Sequence, residues 1–412
     1  MSTRPGTWLT SRRLRAHGIL LGVALWSLYV WTMASPGLRD RNGNLKGTDF
    51  LHFYTLGSLA MAHRGGDLYS LNAQAALAAE RVPSAAGIRY LPLYPPQVSI
   101  LFAPLASFSY PWALALWWSF SAIIYGLCCW AIWRACPKLR GHGWLVALLA
   151  TAFPAFFNLI AWGQTSALGL ACFTLMYLFL RDRREFLAGI ALGCLIFKPQ
   201  LGLAAAIVFI LLGNWRILGG AILSAAAESY AGVLYYGWAP LRTWGHTLWN
   251  VRSVVPLLEP RPYQTHCLRT FWSMLIPWEG VDFILYGVSA LLVLALTISI
   301  WRRSARALPL PLRYSSLLLA TVLVSPHLTV YDLVILAPTI LLTSDWLLQE
   351  GAVEQRRRIG TLLYLVYVLP LLAAVTRWTH VQLSVLAMTG LIYAIWTTSH
   401  TRNPLAGIAE QK

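Results

Sequence analysis

Apolar residues fill this 412-residue chain in long runs that recur from one end to the other. Sustained apolar windows fall at 17–34, 111–133, 144–158, 166–180, 186–197, 199–213, 216–237, 281–301, 313–324, 330–348, 359–376 and 380–397. They predict an all-α polytopic membrane protein with about twelve transmembrane helices forming a single domain over 1–412. Several windows are shorter than the ~20 residues that cross a bilayer, so those helices must be tilted, broken or extended by their neighbours. A further apolar stretch, 97–109, is interrupted by Pro104 and bounded by Pro96 and Pro111. It reads either as a span or as a re-entrant or surface-lying segment.

Charge decides between those two. If 97–109 does not cross, Arg12/Arg13/Arg15, Arg134/Lys138/Arg140, Arg181/Arg183/Arg184, Arg302/Arg303/Arg306/Arg313 and Arg356/Arg357/Arg358 all share one side with the amino terminus. If it does cross, the first cluster conflicts with the others. The positive-inside rule therefore favours twelve spans, both termini cytoplasmic and 97–109 not crossing. The apolar run that ends at Ala34 is long enough to span, and it reads as a retained signal anchor rather than a cleaved leader.

Composition agrees with the pattern. Only 11% of residues are charged, against the ~25% of a soluble domain. Twenty Trp suit aromatic belts at the two interfaces. A net charge of +17 could point to nucleic acid, but the basic residues fall in short clusters between apolar segments. They read as topology determinants and anionic-lipid contacts, with no nucleic-acid partner. The six cysteines show neither metal-ligand spacing nor a disulfide framework.

On this topology every purposeful polar group falls on the outer side. The first outer loop, 35–96, carries Asp49 in Gly47-Thr48-Asp49-Phe50-Leu51-His52-Phe53-Tyr54 and ends in Leu93-Tyr94-Pro95-Pro96. Its segments 50–63 and 70–81 have helical apolar spacing and no proline, which predicts two amphipathic helices along the interface. Trp162-Gly163-Gln164, Lys198-Pro199-Gln200, the second large loop 238–280, and Ser325-Pro326-His327 with Tyr331-Asp332 complete the set.

Each group has a plain reading beside the functional one. Asp49 after Thr48 is either a helix cap or a carboxylate with chemistry to do. Lys198 closes a short apolar run and either faces a phosphate or snorkels to the interface. His327 sits in a break between apolar segments, where a structural hydrogen bond is the ordinary role and a ligand contact the alternative. Gly163-Gln164 also reads as a tight turn, and Tyr94-Pro95-Pro96 as an extended interfacial anchor. In 238–280, Arg242, His246, Arg252, Arg261, His266 and Arg269 outnumber Glu259 and Glu279. A basic, aromatic loop suits an anionic head group or simple interfacial anchoring.

Taken in order, Asp49-Phe50 with Phe53-Tyr54, Leu68-Tyr69, Tyr94-Pro95-Pro96 with Pro104-Leu105, Gly163-Gln164, Lys198-Pro199, and Ser325-Pro326-His327 with Asp332 resemble glycosyltransferase family 87 over about residues 45–345. That family comprises polyprenyl-phosphate-mannose-dependent alpha-mannosyltransferases and relatives of the GT-C superfamily. The resemblance implies a GT-C-like fold and a metal-independent, inverting transfer with no cofactor. It implies a catalytic Asp in the first outer loop, here Asp49, with His327 and Lys198 near the donor phosphate.

The chemistry is consistent with the residues. A base takes the acceptor hydroxyl's proton while the anomeric carbon develops oxocarbenium character. Lys198, His327, Arg261 and Arg269 are candidates for the leaving lipid phosphate, and Tyr54, Tyr94, Gln164 and Asp332 for the substrate. No Asp-x-Asp pair stands ready to clamp a divalent cation beside a nucleotide diphosphate, which favours a lipid-phosphate donor. The expected partners are a polyprenyl-phosphate-linked sugar, a glycolipid or glycan acceptor, and membrane lipids. The expected location is the inner (cytoplasmic) membrane, with the site on the extracytoplasmic side. A lipid or sugar transporter or flippase, or another lipid-linked glycan polymerase or ligase, stands as the alternative. A transporter should show repeated halves and polar residues near mid-membrane, and neither is evident.

Overall fold

The computed structural model describes residues 8–250, 261–278, 280–303, 308–350 and 352–401. Arg252, Glu259, Glu279 and Arg306 lie outside the described residues. Within them the regular structure is helical, and the only strand-like pairings are two isolated bridges, Arg39 with Leu45 and Thr265 with Thr329.

The first half of the chain comprises α1 (Ser11–Met33), α2 (Phe50–Met61), α3 (Leu71–Arg81), α4 (Pro96–Ala106), α5 (Tyr110–Arg134), α6 (Gly143–Thr151), α7 (Pro154–Trp162), α8 (Ser166–Arg181) and α9 (Glu185–Gly193). The second half comprises α10 (Leu203–Leu212), α11 (Trp215–Tyr236), α12 (Trp238–Trp249), α13 (Leu268–Leu275), α14 (Val281–Arg302), α15 (Leu310–Val324), α16 (Ala337–Glu350), α17 (Val353–Val368), α18 (Ala373–Thr379) and α19 (Leu383–Thr401).

All twelve apolar windows coincide with helix. Among the described residues, six helical stretches are long and apolar enough to cross a membrane: 11–33, 110–134, 215–236, 281–302, 330–349 and 353–379. α6 with α7 makes a seventh if their 47° bend lies within one span. The windows at 166–181, 185–197, 203–212, 310–324 and 383–398 are shorter apolar helices. Length alone therefore supports six or seven crossings. α15 shows why a short segment can still be central: it is buried from Tyr314 to Val324, so neighbouring helices surround it on every side.

Small residues set the closest helix crossings. A Cβ on Gly189 or Gly193 of α9 would lie 2.0 or 2.1 Å from a backbone carbonyl oxygen of α11. One on Gly220 would lie 2.2 Å from the Phe186 oxygen. Only glycine lets these two backbones approach so closely.

The segment 35–96 departs from expectation. Its two helices form where the spacing predicts them, but α2 does not lie along a surface. Residues 50–60 are all buried, clasped between α4 and α5, and a Cβ on Gly57 would lie 2.4 Å from the Phe102 carbonyl oxygen. α3 alone keeps the half-exposed, amphipathic character, burying Gln74, Leu77 and Ala78. The stretch expected not to cross forms α4, an 11-residue helix opened by Pro96 at its first position and carrying Pro104 inside.

Breaks between helices supply the irregular backbone. α7 ends at Gly163 in the left-handed region (φ 67°). Lys198 stands between two 3-10 turns, 194–197 and 199–201. α15 stops at Val324, and residues 325–329 form no helix before a 3-10 turn over 330–336. The segment 261–266 is tied to that last break by the Thr265–Thr329 bridge and by the His266 N–H donating to the Leu328 carbonyl at 2.8 Å.

Candidate active site

The turn that carries Asp49 is fixed from several sides. Gly47 takes φ 69°, and a Cβ there would overlap Leu114. Tyr110 donates its hydroxyl to the Lys46 carbonyl at 2.8 Å, and Tyr90 donates to the Thr48 carbonyl. The Asp49 N–H donates to the Trp162 carbonyl at 3.0 Å, which lashes the turn to the end of α7. Gly163 is equally constrained. Trp117 donates its indole N–H to the Gly163 carbonyl at 2.9 Å, and a Cβ on Gly163 would lie 2.7 Å from that of Phe50. Two glycines thus let the Asp49 turn and the Gln164 turn touch.

Their side chains meet. Gln164 Nε2 donates to Asp49 Oδ2 at 2.5 Å, with Gln164 almost wholly buried. Asp49 occupies the N-cap position of α2, yet its side chain makes no capping hydrogen bond. The capping explanation for this residue therefore fails. Burial pushes the Asp49 carboxyl up to about 6, against the Gln164 hydrogen bond and the Lys198 charge, which favour the ionised form. Three residues on, His52 is held neutral: burial pulls its imidazole down to about 4. Its ring lies 5.3 and 5.7 Å from those of Tyr90 and Tyr94.

A cavity of about 1300 Å³ opens beside Asp49. Seven of the nine residues singled out from sequence line it: Asp49, Tyr94, Gln164, Lys198, Arg261, Arg269 and His327. They come from distant parts of the chain and converge through the helix breaks. Arg269 donates from Nε to the Pro326 carbonyl at 2.5 Å, which places it beside His327, while Arg261 is exposed.

Two of the nine do not line the cavity. Tyr54 is buried on α2. Its hydroxyl donates to the Phe108 carbonyl at 2.9 Å and accepts from Arg81 at 3.0 Å, away from the cavity lining. Asp332 is fully buried behind the wall. Lys198 Nζ and Ser166 Oγ each donate to its Oδ1 at 2.5 Å, and the Thr329 N–H reaches its Oδ2 at 3.4 Å. Lys198 Nζ also lies 5.2 Å from the Tyr331 ring centroid.

Sequence reading missed several lining or supporting groups: Arg89, Tyr90 and His52 in the cavity wall, and Ser166 beneath it. Tyr331, singled out together with Asp332, lines the wall, and His52 follows Asp49 by one helical turn, so it was within reach. Ser166 carried no local signal, because its partner lies 166 residues away.

The lining groups divide chemically. Lys198, Arg261 and Arg269 bring cationic groups to the lining, and His327 an imidazole, which suit an anion. Asp49 with Gln164, Tyr94 and Thr48 offers a base and hydroxyl-binding groups.

Comparison with known proteins adds one match. A model of glycosyltransferase family 87 matches residues 93–326, more than half of the chain. No curated protein and no solved structure matches it. The matched stretch contains Tyr94, Gln164, Lys198, Arg261 and Arg269, while Asp49 and His327 lie outside it and join the set through geometry alone.

Proposed function

The chain belongs to glycosyltransferase family 87, and from that premise we propose that it moves a sugar, mannose first among the choices, from a polyprenyl-phosphate donor to a lipid- or glycan-linked acceptor outside the cytoplasm. The reaction is a single inverting displacement without a metal or other cofactor. Asp49 takes the proton of the acceptor hydroxyl. The hydroxyl oxygen bonds to the anomeric carbon from the face opposite the phosphate, and the bond from that carbon to the phosphate oxygen breaks. The phosphate leaves with the electron pair as a polyprenyl phosphate monoester.

One observation carries the reading: the Asp49 carboxyl, held by Gln164 at 2.5 Å, faces the same cavity as Lys198, His327, Arg261 and Arg269. A base and an anion site share one enclosure, as displacement from a phosphate requires. Gln164 orients the carboxylate, and with Tyr94 it meets sugar hydroxyls. A carboxyl near 6 is a suitable base, since it is ionised at neutral pH yet still basic enough to accept a proton. The missing Asp-x-Asp pair supports a lipid-phosphate donor over a nucleotide sugar.

The same reading takes all twelve apolar helices as crossings of the inner membrane in a GT-C-like arrangement, with α4 re-entrant or surface-lying and the cavity at the outer face. In support, the cavity wall draws on the C-terminal ends of α1 and α7, the N-terminal end of α14, and the breaks at 197–200 and 326–331. With alternating passes these all fall at one end, and the arginine clusters fall at the other. The deciding assay offers polyprenyl-phosphate sugars to membranes containing the full chain. Transfer of the sugar to a lipid or glycan acceptor is expected. Absence of transfer from every polyprenyl-phosphate sugar, with nucleotide sugars used instead, overturns the reading.

A further inference from the structure

The buried Lys198–Asp332 pair is unlike an ordinary salt bridge in one respect: its cation faces the cavity and its anion does not. Asp332 is 0% exposed and accepts from both Lys198 Nζ and Ser166 Oγ at 2.5 Å on the same oxygen, while its other oxygen meets the Thr329 N–H at 3.4 Å. The carboxylate is therefore immobilised by α8, by the 325–329 break and by the ammonium itself. An ammonium has three N–H bonds. Asp332 takes one of them, and the position of Lys198 in the cavity wall leaves the others to be aimed at a ligand.

We propose that Asp332 is a positioning residue that fixes Lys198 and offsets its charge, so that the cavity holds a lipid phosphate without trapping it. The proposal rests on the displacement described above and adds a regulation of product release. In that displacement a phosphodiester donor, with one negative charge, becomes a phosphomonoester product carrying between one and two at neutral pH. The product is the more anionic of the two. A bare buried cation would bind it more tightly than the donor and slow turnover. A cation already paired to a fixed carboxylate presents hydrogen bonds with little net charge, and the difference between donor and product shrinks. Ser166 contributes by holding Asp332 in place when the phosphate competes for the ammonium.

Binding, rather than turnover, gives the direct test. Purified full-length protein in lipid nanodiscs is titrated with farnesyl phosphate and with its methyl diester, for the wild type, Asp332→Asn and Asp332→Glu. The wild type is expected to bind the two within about threefold of each other. Asp332→Asn, which keeps the shape and removes the charge, is expected to bind the monoester on the order of tenfold tighter, with a smaller gain for the diester. In turnover its steady-state kcat is expected to fall several-fold more than its single-turnover rate. Asp332→Glu disturbs the local structure at least as much but keeps the charge, so its ratio of monoester to diester affinity stays near that of the wild type. Should Asp332→Asn fail to fold, Ser166→Ala is measured in its place: a raised ratio of monoester to diester affinity is expected, and an unchanged ratio overturns the positioning role. Unchanged affinity in a folded Asp332→Asn, or equal shifts in Asn and Glu variants, overturns the positioning role and leaves the transferase reading standing. Failure of the wild type to bind either phosphate overturns the positioning role as well. Loss of the transferase reading is registered separately, by wild-type turnover.

Discussion

The Asp49 carboxyl, the proposed base, is set by a conflict between burial and hydrogen bonding. Desolvation pushes its carboxyl up to about 6, while Gln164 and the Lys198 charge hold it within reach of ionisation. As the base it must be deprotonated, so kcat/KM should fall about tenfold per pH unit below about 6 and level off above it. A pH profile of the wild type in membranes checks this. The same shift has a cost for the fold. A carboxyl whose folded value is raised from 3.8 to about 6 loses stability as pH rises through that window, by about 3 kcal/mol at most. Asp49→Asn can still accept the Gln164 hydrogen bond and carries no charge to bury. It should melt at a higher temperature than the wild type at pH 7 and show no such gain at pH 4, as read by thermal shift in detergent. The chain itself showed a carboxylate in a costly place but could not tell a cap from a base. That Asp49 makes no cap and instead meets Gln164 depends on a contact between residues 115 apart.

Among the elements, the turns at Gly47 and Gly163 and the crossing at Gly57 bring the site together. Gly163→Ala puts a side chain at φ 67° and within 2.7 Å of the Phe50 Cβ. Backbone strain of about 1–2 kcal/mol is expected, and the Asp49–Gln164 contact should open, lowering kcat at least tenfold with little change in expression. Gly57→Ala meets the Phe102 carbonyl oxygen at 2.4 Å, which is backbone and cannot swing aside. It should destabilise the protein more than it alters any kinetic constant of the folded fraction, by thermal shift and assay in parallel. These elements were partly legible. Apolar spacing predicted α2 and α3, and Pro96 marked the boundary of the apolar stretch that forms α4. The full burial of α2 was not legible, because a helix with Phe50, His52, Phe53 and Tyr54 looks amphipathic until α4 and α5 cover its second face. Lys198→Met should cost about 3–5 kcal/mol, since it leaves the Asp332 carboxylate buried without its counter-ion.

At the scale of the whole molecule, the proposed twelve-pass arrangement would sort the chain into a plain basic end and an end that holds the cavity. That proposed division rests on arginine clusters and apolar windows, which follow the bilayer rather than tertiary contacts. Where each window ends was less readable, since a short helix such as α15 is surrounded by protein and need not match a bilayer's thickness. The convergence of 49, 164, 198, 269 and 327 on one cavity is a property of the assembled bundle, and no local pattern encodes it. Single cysteines introduced at positions 49 and 183 should report opposite sides of the membrane, with position 49 labelled from outside and position 183 only after permeabilisation. The central claim is that Asp49 is the base of a sugar transfer from a lipid phosphate. Its most direct test compares wild-type and Asp49→Asn membranes, matched for folded protein, with a radiolabelled polyprenyl-phosphate sugar. A fall of at least a thousandfold in transfer, with donor binding retained, is predicted. Turnover by Asp49→Asn within tenfold of the wild type would contradict it.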